Sequence, residues 1–283
     1  MSVLKSMESW SVLLKGLDEV PEPFITAMGQ VLADNNDFPY TVYTPEIKDP
    51  ENLRHGTILA FADKGIWVLE NVEGEVSSIR LPIDGLQSVE LGTVLLQSWM
   101  KFCSILDEGY ACKQVFFNTV TIDLFSAIMD DLRCKVLQIS VDESKPKIDA
   151  LDYLYAINFK FASYGKMSLI PGQVVYGSVF QEQFGHEKPH LCILADKELI
   201  LIKETELVDE KSLPQKYSGI WTHIPLRSIT GINLVMTEDG HGEKLVLMFE
   251  GQAPTEILFD LNNHDSVYKF VDTLKTFINQ QNG

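Results

Sequence analysis

The string His186-Glu187-Lys188-Pro189-His190 has the residue types and spacing of the zinc-protease motif H-E-x-x-H. That chemistry needs both histidines on one face of a helix, a turn apart, with the glutamate beside a metal-bound water. Here Pro189 would stand inside the helical turn, a glycine precedes the string and an apolar strand pattern follows at once. The string therefore reads as a solvated hairpin loop. Gly240 and Gly242, in EDGHGEK, offer a G-x-G between two strand patterns, with no third glycine and no helix to follow. That is a turn rather than a phosphate cradle. Neither G-x-S-x-G nor G-x-x-x-x-G-K-[ST] occurs. Cys103 and Cys192 fall in strand patterns with no histidine at a suggestive spacing, which makes them core fillers rather than nucleophiles. The expectation is a protein that is not an enzyme, with no catalytic residue, no metal ligand set and no cofactor.

Composition narrows the partners. The 283 residues carry a net charge of −17, and both halves are acidic. Such a surface repels phosphate backbones and anionic headgroups, so nucleic acid is excluded and anionic membrane disfavoured. Four cysteines without a C-x-x-C pair suggest free thiols in a reducing compartment. The first twenty residues mix Glu8, Asp18 and Glu19 with apolar side chains, which fits neither a signal peptide nor a spanning helix. The expected location is cytoplasmic.

What must position any site is legible as a repeat. FADKGIWVLE at Phe61 to Glu70 returns as LADKELILIK at Leu194 to Lys203, and each reads as a β-hairpin. IRLPIDGLQSVELG at Ile79 to Gly92 is echoed by THIPLRSITGINLV at Thr222 to Val235, with Pro82 and Pro225 in matching places. Further strands follow in each copy, and then a helical period. The first helix carries Leu124, Phe125, Ile128, Met129, Leu132 and Val136 after Thr121 as cap; the second carries Val267, Tyr268, Val271, Leu274, Phe277 and Ile278 after Asn263. Two sets of antiparallel strands, each ending in one amphipathic helix, are expected.

This order resembles the pleckstrin-homology-like (PH-like) barrel, here in tandem. ASYGKMSLIPGQVVYGSVF, at Ala162 to Phe180, resembles the opening of bacterial PH-like domains. LLQSWMKFC and VFFNTVTIDLF resemble an uncharacterised bacterial family with such a domain. The resemblance implies a mainly β, α+β fold of two PH-like antiparallel β-barrels, each closed by a C-terminal helix, with an N-terminal helical arm. The boundaries are 1–36 for the arm, 37–140 for the first PH-like domain, 141–155 for a connecting segment and 156–283 for the second domain. It transfers no catalytic residue. The basic β1–β2 loop of phosphoinositide-binding relatives is missing, since FQEQFGHEKPH and PEIKDPENLRH lack a cationic cluster.

Function is then expected on loops and exposed faces. One candidate is the excursion from Thr205 to Gly219, a partner-binding loop with Glu206, Asp209, Glu210, Lys211 and Tyr217. The other is the arm, where Trp10, Leu13, Leu14 and Leu17 share one face of a short helix and Ile25, Met28, Val31 and Leu32 form another. These faces bury against the first barrel, a second copy in a homo-oligomer, or another protein. The leading expectation is a non-enzymatic binding or scaffolding module for a protein partner. The alternatives are a peripheral lipid binder, and a carrier or enzyme using a pocket between domains lined by Tyr153, Tyr155, Tyr164 and Lys166.

Overall fold

The computed structural model describes residues 10–33, 35, 37–47, 54–139, 146–205 and 218–282. The chain divides into two units, one of Met1–Leu86 and Leu95–Arg133, the other of Gln87–Val94 and Cys134–Gly283.

In the first unit a five-stranded antiparallel sheet runs in chain order: β1 (Val12–Leu14), β2 (Tyr40–Thr44), β3 (Gly56–Ala62), β4 (Gly65–Val72) and β5 (Glu75–Pro82). The FADKG hairpin is β3–β4, with Ala62 opposite Gly65. Every residue of β3 is buried. Its Ile58 and Ala60 pack with Leu69 of β4 under Phe24, Met28 and Val31, the last two from helix α1 (Ile25–Ala33). The unit also holds the hairpin of β7 (Gln97–Leu106) and β8 (Gly109–Asn118), and most of helix α2 (Ile122–Leu137).

The arm departs from the helical expectation at its start. Residues 12–14 form a strand, paired Val12 to Tyr43, Leu13 to Val42 and Leu14 to Thr41. Leu14 is buried and Leu17 is exposed, so Trp10, Leu13, Leu14 and Leu17 do not share a helical face. The edge of β2 supplies backbone partners to Val12–Leu14, and that pairing overrides their helical spacing.

In the second unit β6 (Leu86–Val94), β12 (Gly219–Pro225), β11 (Glu198–Lys203), β10 (His190–Ala195) and β9 (Val175–Gln181) pair in that order. A three-stranded meander follows: β13 (Ile229–Met236), β14 (Gly242–Phe249) and β15 (Thr255–Asp260). Three helices complete it: α3 (Leu154–Ile157), α4 (Phe159–Met167) and α5 (His264–Asn282). The described strands make open sheets, not the closed barrels expected. Among the described residues no helix is long and apolar enough to cross a membrane.

The strands of the β10–β11 hairpin are buried throughout apart from Lys203, and their alternation serves two cores. Cys192, Leu194, Leu199 and Leu201 face Val267, Phe270, Val271, Leu274 and Ile278 of α5. Leu191, Ile193, Ile200 and Ile202 face Phe161 and Ala162 of α4 with Leu151 and Leu154. Gly165 lets α4 approach, because a Cβ there would lie 3.1 Å from Ile193 Cδ1 and 3.3 Å from Leu191 Cδ2. Tyr268, expected in the buried stripe of α5, is exposed, and Phe270 takes its place inside.

Two further expectations are corrected. The caps sit three residues early, because a 3-10 turn precedes each helix. Asn118 accepts from Val120 N at 3.0 Å, and Asp260 accepts from Asn262 N at 2.8 Å. Cys103 and Cys112, directly opposed on β7 and β8, form a disulfide, leaving Cys134 and Cys192 as buried free thiols. The free-thiol case for a reducing compartment therefore loses two of its four members. The bridge spans nine residues. Replacing both Cys103 and Cys112 by Ser is expected to lower the unfolding free energy by about 2 kcal/mol, measured by urea denaturation.

Candidate functional site

The second unit carries a cleft of about 710 Å³ between β9 and α5. Strand β9 pairs with β10 on one side only, so its other row of backbone groups faces outward. Its floor is Ser178, Val179 and Phe180. One wall is α5, where Ser266, Lys269, Phe270 and Thr273 recur at the spacing of a single helical face. The other wall is Ala150, Tyr153 and Ile157, from the turn and short helix before α4.

Side-chain amides hold the strand against the helix. Asn263 Nδ2 donates to the Phe180 carbonyl at 3.2 Å and to Gln181 Oε1 at 2.8 Å. Gln181 Oε1 also accepts from Asp260 N at 2.9 Å, and Gln181 Nε2 donates to the Glu182 carbonyl at 3.0 Å. On the opposite wall Ser178 Oγ donates to the Ala150 carbonyl at 2.6 Å and lies 3.4 Å from Tyr153 Oη. Burial pushes the Tyr153 phenol above its ordinary range, so it is neutral at physiological pH and serves as a hydrogen-bonding group. A bulge between Leu194 and Ala195 frees Tyr176 from the ladder. Its ring is half exposed and packs on Phe277 at 4.5 Å. The described lining contains aromatic, hydroxyl and amide groups with Lys269, Glu182 and Asp260, and neither histidine nor cysteine. Such a set orients a ligand through hydrogen bonds and ring contacts.

The sequence singled out Tyr153 of this set and missed the rest. Ser178, Asn263 and Lys269 carry no local motif, because the site is assembled from separate segments, with Phe180 and Asn263 83 residues apart. Of the other residues proposed for a pocket, Tyr155 packs on Phe159, Tyr164 packs on Trp221 and Phe161, and Lys166 is exposed; none lines this cleft. Glu206, Asp209, Glu210, Lys211 and Tyr217 lie outside the described residues.

The H-E-x-x-H string is split as its proline suggested. His186 is exposed in a turn closed by Gly185 at φ 60, while His190 is 1% exposed in β10. His190 Nδ1 donates to the Lys188 carbonyl at 3.1 Å, and Nε2 has no hydrogen-bond partner. Protonating Nε2 would bury a charge without an acceptor, and burial pushes the His190 pKa down to about 4. Cys192 is fully buried and its thiol is pushed up to about 12, the state of an inert core filler.

No family model matches the chain, and no curated protein matches it. Among solved structures, the chain is similar to a DUF1696 family protein with a pleckstrin-homology domain from Shewanella loihica PV-4. The identity is 16%, the match covers 42% of this chain and 92% of that one, and the TM-score is 0.30.

The depressed pKa of His190 has a consequence for stability. Above the unfolded pKa near 6.5 both states are neutral and the native state keeps its full stability. As the pH falls from 6.5 towards 4 the unfolded state takes up the proton first, and stability is lost at up to about 1.4 kcal/mol per pH unit. His190→Gln is expected to flatten that part of the curve. Urea midpoints of both proteins from pH 7 to 4 measure the difference.

Proposed function

We propose that this chain is a non-enzymatic binding or scaffolding module, built from two PH-like copies, whose partner is a protein held in the cleft between β9 and α5. The PH-like reading is supported by the order of elements, seven strands between two helices, which occurs twice. The observation that carries the binding reading is the composition of the cleft. A sheet edge without a neighbouring strand among the described residues lies at its floor, with Tyr153, Ile157 and Tyr176 at its lip and amide and hydroxyl groups along its walls. Rings with polar tips and adaptable hydrogen-bonding groups are the usual means of gripping polypeptide. The lining does not bring a nucleophile beside a histidine or thiolate base, which favours binding over catalysis. A second reading, a small-ligand carrier, is favoured by the volume, which is that of a drug-sized pocket.

The test is a tagged pull-down from native lysate, read by mass spectrometry, with the wild type beside an Ile157→Asp, Tyr176→Asp double variant. Both side chains are about half exposed, so the fold should survive, as circular dichroism and thermal melting will check. A stoichiometric partner lost in the variant supports the reading. A partner retained by the variant removes the site from the cleft, and an empty pull-down from folded protein overturns the protein-binding reading. In that case a thermal-shift screen of small metabolites tests the carrier.

A further inference from the structure

The two copies treat one sheet edge differently. The echo aligns residues at a spacing of 133, so Phe61 corresponds to Leu194, and Ile58 to Leu191. Ladder pairing carries the correspondence to the next strand. In the first copy Thr41, Val42 and Tyr43 lie opposite Ala60, Leu59 and Ile58. In the second, Ser178, Val179 and Phe180 lie opposite Ile193, Cys192 and Leu191. The packing agrees, since Tyr43 meets Phe24 edge-on with centroids 5.9 Å apart, as Phe180 meets Phe161 at 4.9 Å.

In the first copy those three edge residues are covered by an added antiparallel strand: β1 sets Leu14, Leu13 and Val12 against Thr41, Val42 and Tyr43. In the second copy the lead-in chain pairs elsewhere. Lys147 bridges the start of β9, donating to the Gln173 carbonyl at 2.9 Å and accepting from Val175 N at 3.0 Å. Ser178, Val179 and Phe180 are left as the floor of the cleft, with no neighbouring strand on that side among the described residues. The Phe180 backbone is met by the Asn263 and Tyr153 side chains, which an added strand would displace.

We propose that the edge Ser178–Phe180 accepts an extended antiparallel segment of a partner protein, as the edge Thr41–Tyr43 accepts Val12–Leu14. This rests on the binding reading above and specifies its mode, strand addition. The occupant is an aliphatic segment with a cationic flank. Leu14, opposite Thr41, is the residue of β1 that enters the core. A large aliphatic side chain is therefore expected opposite Ser178, between Tyr153 and Ile157. Charge complementarity supplies the flank: Glu182 and Asp260 line the cleft against Lys269, and Asp149 and Asp152 stand on the adjoining wall. β1 itself is followed by Lys15.

The probe is the sequence of Trp10 to Lys15 as a free, dye-labelled peptide, titrated into the full chain by fluorescence anisotropy. Saturable binding is expected with a Kd between roughly 1 μM and 1 mM. Two changes should each weaken it by roughly tenfold or more, because each deletes edge hydrogen bonds. One is N-methylation of alternate peptide amides, which keeps every side chain. The other is Ser178→Pro, tolerated on an edge strand, with thermal melting as the check on folding. If Ser178→Pro does not fold, the Ile157→Asp, Tyr176→Asp double variant takes its place, and binding indifferent to it sinks the site.

Binding indifferent to N-methylation sinks strand addition. Binding sensitive to N-methylation but indifferent to Ser178→Pro means that the peptide exchanges with β1, and sinks the site. No binding overturns the inference. The lysate experiment separates these failures from that of the binding reading, which stands if a partner is lost with Ile157→Asp and Tyr176→Asp.

Discussion

The structure of the second unit depends on a hairpin with no wet face. A strand buried on both sides must pair every backbone group within its sheet and find an apolar layer above and below. LCIL and LILI answer the first need by being continuous apolar runs in register, and the second by alternating their side chains between two cores. Helix α5 covers one face and α4 the other. That second cover is why the segment before β9 is helical and contains Gly165, where a Cβ would press on Ile193 and Leu191 of β10. The first unit obeys the same rule: β3 is wholly buried, with α1 and Phe24 on the side of Ile58 and Ala60.

Seen this way the repeat is longer than its sequence echo. The element order helix, seven strands, helix occurs twice along the chain, from α1 to α2 and from α4 to α5. The echo is strongest in the hairpins, where burial on both faces of the strands constrains the residue type. On the leading helices a single face is fixed. Phe24, Met28 and Val31 in one copy and Phe161, Ala162 and Gly165 in the other do the same work with different side chains.

Much of the fold was therefore legible, and what was not has physical causes. Hairpins and terminal helices follow from local periodicity and turn residues, which act over a few positions. The strand at Val12–Leu14 does not, because its conformation is decided by a partner edge some thirty residues away, and propensity yields to that. The Cys103–Cys112 bridge depends on register, which cysteine spacing does not reveal. The helix caps moved because Asn118 and Asp260 start a 3-10 turn before the helix, a choice between two capping residues that pattern alone leaves even. The cleft was least legible of all. Its amide anchor Asn263 presented itself as a helix cap, and its role appears only once β9 lies beside α5.

An exposed sheet edge is a liability that proteins blunt with short strands, bulges, charges or a cover. The first copy uses a cover, β1. The second has a bulge at Tyr176 and the Asn263 and Tyr153 side chains on the Phe180 backbone, and otherwise leaves the edge at the bottom of a cleft. Recessing an edge protects it from another sheet while keeping it open to a single strand. The same sequence repeat thus yields one edge closed by the chain's own residues and one closed only by side chains. The difference arises outside the repeated hairpins, in where the lead-in chain pairs, opposite Thr41–Tyr43 in one copy and at Gln173 and Val175 in the other.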